Sequence, residues 1–476
     1  MLKMKYKNMH SYTILNYLHR FSVVLIFPLI QQIIFKPSTL KEIILSFWKN
    51  ILLIFFVFIW AFLKYKSIKY SFYDDKIFIK SGLIIKKEMI LPINKIISIH
   101  IVEKIFSSFF GSYRVFIDIP TNKNKKDVIS LNFSDEDIEI LKEFIFKKEK
   151  TDIFYKASRG RVILLSLFWS NPLTSFILVV PFIYRFSKIL GEELTNKIYS
   201  TVDIRVNLIA LGLPPLVASI AYILLVTFII AFLIQFFRYS NFETRGNSQN
   251  IFIKRGLINN NEKIIKKEKI VGVSIKQSLL MSLLRLYNAY IITESEFDST
   301  GGEILSLVAA NYNEIIRGIE SNVCISFFSK KGLKPKRFLL KNFLFLPVVC
   351  LISIIIFIYR LENDLWYSQA ISLLLRLTVL FLLWWIFFRI KAHSKSGVAL
   401  YNGVLNICGF KRLTLFSEYI PIANVTKVEI KQSIFQKLSG RCNLKVYVLS
   451  DLKKSFCCKH LNLKNVENFV EMVKNH

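Results

Sequence analysis

One stretch, Ile77 to Ile119, occurs three times in the chain, and this repetition limits the possible folds more than any other feature. The second copy begins at Ile251 and the third at Val404. A shift of 174 residues aligns the first copy with the second without a gap. A shift of 327, which becomes 329 after two inserted residues, aligns the first copy with the third. Internal repeats indicate one structural unit built several times, so we expect three copies of one module.

Long apolar runs precede each copy in pairs. The six runs extend over Phe21–Phe35 and Ile43–Leu63, Val162–Phe186 and Leu208–Phe236, and Phe343–Tyr359 and Ala370–Phe388. A helix needs about 20 mostly apolar residues to cross a bilayer. Five runs are long enough, and the first needs Tyr17 and Leu18 to complete it. The runs therefore predict six transmembrane helices in three hairpins, and the alternative is a set of buried core helices in a soluble protein.

Charge and composition agree with a membrane protein. Hydrophobic residues make up 53% of the chain, yet 65 Lys and Arg stand against 33 Asp and Glu, a formal charge of +32. The cations flank the apolar runs, which argues against a nucleic-acid-binding stripe. Positive residues near span ends stay in the cytoplasm. We therefore predict a multi-pass protein of the bacterial cell membrane, with a retained N-terminal tail and with both termini and all three modules in the cytoplasm.

Within a module, alternating Ile-rich runs predict β-strands, near Lys76–Lys80, Ile84–Leu91 and Ile96–Val102, then Tyr113–Ile119 and Val128–Phe133. A short helix is expected over Lys104–Phe110. A closing helix is expected after Ser134 as N-cap in the first copy and after Asn465 in the third. The apolar residues that these helices are expected to bury are Ile138, Leu141, Phe144 and Ile145 in the first copy and Val466, Phe469, Val470 and Val473 in the third. A bent sheet closed by a C-terminal helix is the simplest interpretation. The predicted segments are 1–66 (tail and hairpin 1), 67–155 (module 1), 156–238 (hairpin 2), 239–333 (module 2), 334–391 (hairpin 3) and 392–476 (module 3).

The residues that carry this pattern resemble a known family. The turn Ile79–Leu83, the run Leu91–Ile99 and the helix that ends at Gly111 resemble the bacterial PH-like domain called bPH2 or DUF304. Three such modules behind membrane hairpins resemble the YdbT-like bacterial membrane proteins. The resemblance implies PH-like β-barrels, each with a C-terminal helix, and a smaller single-module membrane protein as partner. The second copy departs from the pattern, with Arg285 in place of Gly111 and Lys266 in place of Pro92.

No catalytic or metal-binding pattern is present. The six histidines are scattered, and the six cysteines form no CxxC pair, which fits a reducing compartment. We therefore predict no enzyme activity, no cofactor and no metal. Gly301-Gly302 is interpreted as a turn between strands, with a phosphate-binding loop as the alternative. Cys457-Cys458 is interpreted as part of a buried strand, with palmitoylation as the alternative.

Two sets of cations are the candidate site residues. The first set lies beside the predicted spans and is suited either to anionic lipid headgroups or only to marking topology: Lys156, Arg159, Arg161, Lys334, Lys336, Arg337 and Lys341. The second set, Lys49 and Arg376, occupies equivalent positions inside two predicted spans. Cations inside a membrane span either have a function or extend their side chains to the outer interface.

Three functions from different classes fit the sequence. The first is a non-enzymatic membrane protein whose modules bind proteins or anionic lipid, in envelope maintenance or defence. The second is a transporter or lipid-moving protein with a path between the six helices. The small number of ionisable residues in the predicted spans argues against this function. The third is a membrane enzyme, which lacks paired acid, base or metal ligands. The partners expected from the first are the bilayer, anionic phospholipid and a single-module relative, with no nucleic acid.

Overall fold

The computed structural model describes most of the chain, and every structural statement below refers to that part. The described residues are 6–19, 55–119, 129–146, 151–169, 215–294, 303–323, 325–327, 332–335, 340–361, 368–411, 413–449 and 454–474. The predicted span Phe21–Phe35, most of Ile43–Leu63 and of Val162–Phe186, and the Gly301-Gly302 turn lie outside them.

The described chain forms two compact units. Unit 1 contains Met1–Asp152 and Arg245–Lys266, and unit 2 contains Ile153–Thr244 and Lys267–His476. The short segment Arg245–Lys266 belongs to the second sequence copy but lies in unit 1. The compact units therefore follow the pairing of strands and not the order of the sequence copies.

One order of elements occurs three times: three strands, a 3-10 turn, a strand, a short helix, two strands and a closing helix. In the first copy these are β2 (Lys69–Tyr73), β3 (Lys76–Ser81), β4 (Lys87–Pro92), Ile93–Lys95, β5 (Ser98–Glu103), α3 (Ile105–Ser108), β6 (Ser112–Asp118), β7 (Ile129–Ser134) and α4 (Asp135–Phe146). A two-residue strand β1 (Lys7–Asn8) and helical residues 12–19 (α1) and 55–67 (α2) precede them.

The second and third copies follow the same order. The second has β8 (Asp152–Lys156), α5 (Arg159–Trp169) and α6 (Pro215–Tyr239) before it, then β9 (Glu243–Gly246), β10 (Asn250–Arg255), β11 (Asn260–Lys266), Lys267–Lys269, β12 (Ile270–Ser278), α7 (Leu279–Leu283), β13 (Tyr287–Thr293), β14 (Glu303–Ala310) and α8 (Tyr312–Val323). The third has α9 (Leu340–Leu361) and α10 (Ser368–Lys395) before it, then β15 (Gly397–Tyr401), β16 (Val404–Lys411), β17 (Thr414–Pro421), Ile422–Asn424, β18 (Val425–Lys431), α11 (Ile434–Leu438), β19 (Arg441–Val448), β20 (Ser455–Asn462) and α12 (Leu463–Lys474).

The first copy encloses its core between two sheets and a helix. Ile77 and Leu91 of the sheet β1-β2-β3-β4 pack in one cluster with Ile99 and Val115 of the sheet that contains β5-β6-β7. Leu141 of α4 completes the cluster. The single bent sheet expected from the sequence is thus two separate sheets, because β4 ends at Pro92 and the 3-10 turn redirects the chain before β5 begins.

Strands of successive copies share a sheet. In unit 1 the order is β7-β6-β5-β11-β10, so a hairpin of the second copy continues the sheet of the first. In unit 2 the order is β14-β13-β12-β17-β16-β15, so a hairpin of the third copy continues the sheet of the second. We call the pairs β5–β11 and β12–β17 the two junctions. Both are antiparallel.

The closing helices agree in their buried faces with the sequence prediction. Ser134 caps α4 by accepting a hydrogen bond from the Asp137 amide at 3.3 Å, as predicted. In the third copy Val466, Phe469 and Val473 are buried as predicted. The predicted N-cap Asn465 is wrong, because α12 already begins at Leu463.

The two departures of the second copy leave its turns intact. Arg285 has a φ of 56°, close to the 58° of Gly111 and the 60° of Gly440, so it adopts the left-handed conformation that favours glycine. Lys266 has an amide proton, unlike Pro92, and donates it to the Ile97 carbonyl at 3.3 Å in the β5–β11 junction. Both substitutions are accommodated without a change in the order of elements.

The long helices differ in how well they meet the criteria for a membrane span. Among the described residues, one helical segment, Tyr222–Tyr239, is long and apolar enough to cross a bilayer, and Phe343–Tyr359 forms a shorter apolar helix. Helices α9 and α10 pack against each other and expose many large apolar side chains, including Phe345, Ile356 and Leu380. The prediction of six spans stays a prediction.

Candidate functional site

The end of α10 is fixed to the second junction by a small apolar cluster. Phe388 and Ala392, one turn apart on α10, are fully buried against Leu279 of α7 and Leu415 of β17. Trp384, Trp385 and Phe410 pack around this cluster. These contacts therefore fix the orientation of the end of α10 relative to the strands of the second junction.

Lysines of the last helical turn strengthen this attachment. Lys391 Nζ donates to Ser282 Oγ of α7 at 3.1 Å, and Lys395 Nζ donates to Gln277 Oε1 of β12 at 2.6 Å. Cations near the C-terminus of a helix are also favoured by its dipole. The two contacts place α7 beside the last turns of α10.

Helix α7 presents apolar side chains outward at this level. Leu279 and Met281 are buried, whereas Leu280, Leu283 and Leu284 are 42%, 54% and 50% exposed. Leucines this exposed on a five-residue helix contribute little to the core of their own module. These three leucines form an exposed apolar rim next to the end of α10, which we call the leucine rim: Leu280, Leu283 and Leu284.

The short helix of the first copy has the same character. Phe106 and Phe109 are 72% and 82% exposed, at and next to α3. Phe110 is half exposed, and its ring centroid lies 5.4 Å from that of Tyr12 in α1. The pattern of a short helix with outward apolar side chains is thus repeated in both units.

A buried charged cluster lies beside the second junction. Lys454 Nζ lies 2.9 Å from a carboxylate oxygen of Glu303, and Lys276 binds the other carboxylate oxygen. Burial alone would raise the pKa of Glu303, but the two lysines lower it below its usual value. Glu418 on β17 is fully buried, accepts a hydrogen bond from Ser274 Oγ at 2.8 Å and has its pKa raised to about 8, chiefly by burial and then by the Glu303 charge.

Ser274 and Glu418 are directly paired across the junction, so the cluster links the strands of two copies. Among the described residues, no group of three or more His, Cys, Asp or Glu side chains is placed to hold a metal ion. The cluster is not visible in the sequence, because its members lie up to 178 residues apart and each is ordinary in its local pattern.

The predicted lipid-contacting cations have different environments. Arg161 forms a bidentate ion pair with Glu314, with both N–O distances at 2.8 Å, and its guanidinium lies 6.0 Å from the Tyr155 ring centroid. Lys156 and Arg159 are exposed at the end of β8 and the start of α5. Three of the seven therefore lie within one short segment, and one of these already has a carboxylate partner.

Of the remaining predicted cations, those that the structure describes are exposed. Lys334 and Lys341 are exposed, and Lys336 and Arg337 lie outside the described residues. Arg376 is exposed on α10, and Lys49 lies outside the described residues. The cysteine pair is part of β20 as predicted, with Cys458 fully buried, and burial raises the pKa of both thiols.

Comparison with known proteins agrees with the repeated architecture. The family model described as "Bacterial PH domain" matches residues 24–147 and 201–320, which together make up just over half of the chain. The chain belongs to the bacterial PH domain family. The first match ends just after the closing helix α4, and the second ends within the closing helix α8. No curated protein and no solved structure matches the chain.

Proposed function

We propose that this bacterial PH domain protein is a non-enzymatic, multi-pass protein of the bacterial cell membrane. Its three PH-like modules would lie at the cytoplasmic surface and bind anionic lipid headgroups and proteins, in envelope maintenance or defence. The third module is included because its order of elements equals that of the two matched by the family. Six apolar runs in three pairs support the six spans.

The attachment of α10 is the observation that carries this proposal. Apolar side chains such as Phe381 and Phe387 are exposed along α10 as far as Ile390, next to Phe388, which is buried under α7 and β17. A helix that is apolar on its outside needs an apolar surrounding, and the sheets begin where that exposure ends. The modules therefore belong at the bilayer surface, with the leucine rim at the headgroup level.

The lipid part of the proposal is tested with the full chain reconstituted in mixed bilayers. The probe is spin-labelled phosphatidylglycerol, compared with spin-labelled phosphatidylcholine, and the readout is the fraction of each lipid that the protein immobilises. Exposed cations near a membrane surface contribute about 1 kcal/mol each. The variant Lys156→Ala/Arg159→Ala is therefore expected to lose several-fold of the preference for phosphatidylglycerol.

The matched control is Arg161→Ala/Glu314→Ala, which removes an ion pair and leaves the net charge unchanged. It is expected to keep the preference. Equal immobilisation of both lipids by the unmodified protein, or equal losses in both variants, would contradict headgroup binding by these cations.

A further inference from the structure

The two ends of the module series carry strand edges that resemble the two halves of a junction. Strand β4 is the last strand of β1-β2-β3-β4, and β18 is the last strand of β18-β19-β20, among the described residues. By position in the repeat, β4 corresponds to β11 and β17, and β18 corresponds to β5 and β12. The chain thus uses each kind of edge twice in its junctions, and within the part that the structure describes it leaves one of each kind without a neighbouring strand.

Both junctions use the same register. Ile99 pairs with Ile264 in the first, and Val273 pairs with Tyr419 in the second. Shifted by the repeat lengths, Ile99 falls on Val273, and Ile264 falls on Tyr419. Two independent junctions with one register show that the pairing is a property of the edges. The same register at the ends places Val428 opposite Ile90.

Side-chain exposure identifies the end edges as uncovered. Ile264 and Tyr419 are 0% and 3% exposed, whereas the equivalent Ile90 is 56% exposed. Ile84, in the turn before β4, is 92% exposed, and Leu438 of α11 is 84% exposed. Exposed apolar side chains beside an unpaired strand edge are a template for pairing with another chain.

We infer that β4 of one copy of this protein pairs with β18 of a second copy, in the register of the two junctions. The occupant is a second copy because this chain carries both complementary edges and already pairs them with each other twice. The contact is heterologous, so one copy can bind a neighbour at each end and form a chain or a closed ring.

Charged side chains on β18 are the argument against this pairing. Glu429 lies 2.6 Å from Lys427 and 3.5 Å from Lys431, and charges of this kind protect sheet edges from association. In the inferred register, however, Glu429 faces Met89, and Val428 faces Ile90. The ladder therefore brings no two carboxylates together, and its one like-charged pair is Lys87 opposite Lys431 at the end of β4.

Cysteine cross-linking in native membranes tests the register directly. Two full-length chains with different affinity tags are co-expressed, one with Ile90→Cys and the other with Val428→Cys. Directly opposed residues of an antiparallel pair have Cα atoms about 4.5–5.5 Å apart, which a disulfide spans. Mild oxidation is expected to give a band that contains both tags, and also to do so for Met89→Cys with Glu429→Cys.

The crossed combinations Ile90→Cys with Glu429→Cys and Met89→Cys with Val428→Cys are the matched controls, because their side chains point to opposite faces of the sheet. Both crossed combinations are expected to give no two-tag band. The unmodified pair, which has only its native cysteines, is also expected to give none. Equal bands in all four combinations, or no two-tag band in any, would overturn the inference. So would a cross-link from either edge to a different protein or within one chain.

Discussion

At the residue scale, Glu418 is a carboxyl side chain held away from water. It is fully buried on β17, and its Oε2 atom makes no hydrogen bond among the described residues. The folded-state pKa of about 8 lies above the usual value of 4.5. In the folded protein, Glu418 therefore keeps its proton at pH values at which the same side chain in the unfolded chain has already lost it.

Glu418→Gln is expected to stabilise the protein increasingly as the pH rises from 4.5 to 8. In that window the unfolded state releases the Glu418 proton while the folded state retains it, so the unmodified protein loses stability with rising pH. Glutamine has no proton to lose. Since one pKa unit corresponds to about 1.4 kcal/mol, the gain in unfolding free energy at pH 8 is expected to be a few kcal/mol.

The measurement is thermal unfolding of the detergent-solubilised full chain, followed by tryptophan fluorescence at several pH values. Glu471→Gln, on the exposed side of α12, makes the same change of charge and serves as control. A melting-temperature difference between Glu418→Gln and the unmodified protein that stays constant from pH 4.5 to 8 would show that Glu418 is ionised throughout.

At the element scale, the short helices that follow β5, β12 and β18 are unusual because they turn apolar side chains away from their own modules. The lipid contact that we propose for α7 is tested by placing the photo-cross-linking residue benzoylphenylalanine at Leu283. On illumination in native membranes, this position is expected to form adducts with lipid, because it lies beside the end of α10.

Met472 on α12 is the control position, because it is 59% exposed and lies on a closing helix. It is expected to give no lipid adduct. Adducts at Met472 as frequent as those at Leu283, or protein adducts alone at Leu283, would assign the leucine rim to a protein contact.

The strands and short helices were predictable from the sequence because their periodicity and turn residues are local. Strand pairing was not, since each copy offers the next one a nearly identical edge. The alternating pattern of Ile251–Ile265 fits pairing with its own copy as well as with β5. The buried faces of the closing helices were predictable from the sequence, and only the first residue of α12 differs from the prediction. The ion pair of Arg161 with Glu314 joins residues too distant for local reasoning.

At the scale of the whole molecule, the proposed topology makes both termini cytoplasmic. Green fluorescent protein fused after His476 is expected to fluoresce, because it folds in the cytoplasm. Alkaline phosphatase fused at the same position is expected to be inactive, because it requires export. The opposite result for both fusions would reverse the orientation derived from the flanking cations.

The transporter hypothesis is tested by the two cations of the predicted spans. Lys49→Leu/Arg376→Leu is expected to insert normally and to complement a deletion strain fully, because long cations near a span end extend to the interface. The measurement is growth of the complemented strain under membrane-active agents, with membrane extraction as the check on insertion. Loss of complementation with normal insertion would favour a path between the helices.

The common register of the two junctions also has a consequence for how such a protein changes in evolution. A duplication that adds one further hairpin-plus-module repeat creates one more junction of the same kind and leaves the existing pairs in place. Loss of an internal repeat likewise brings together two edges that already match. The number of repeats is therefore free to vary by whole units, whereas an insertion of a few residues within β5, β11, β12 or β17 disrupts a contact on which two copies depend.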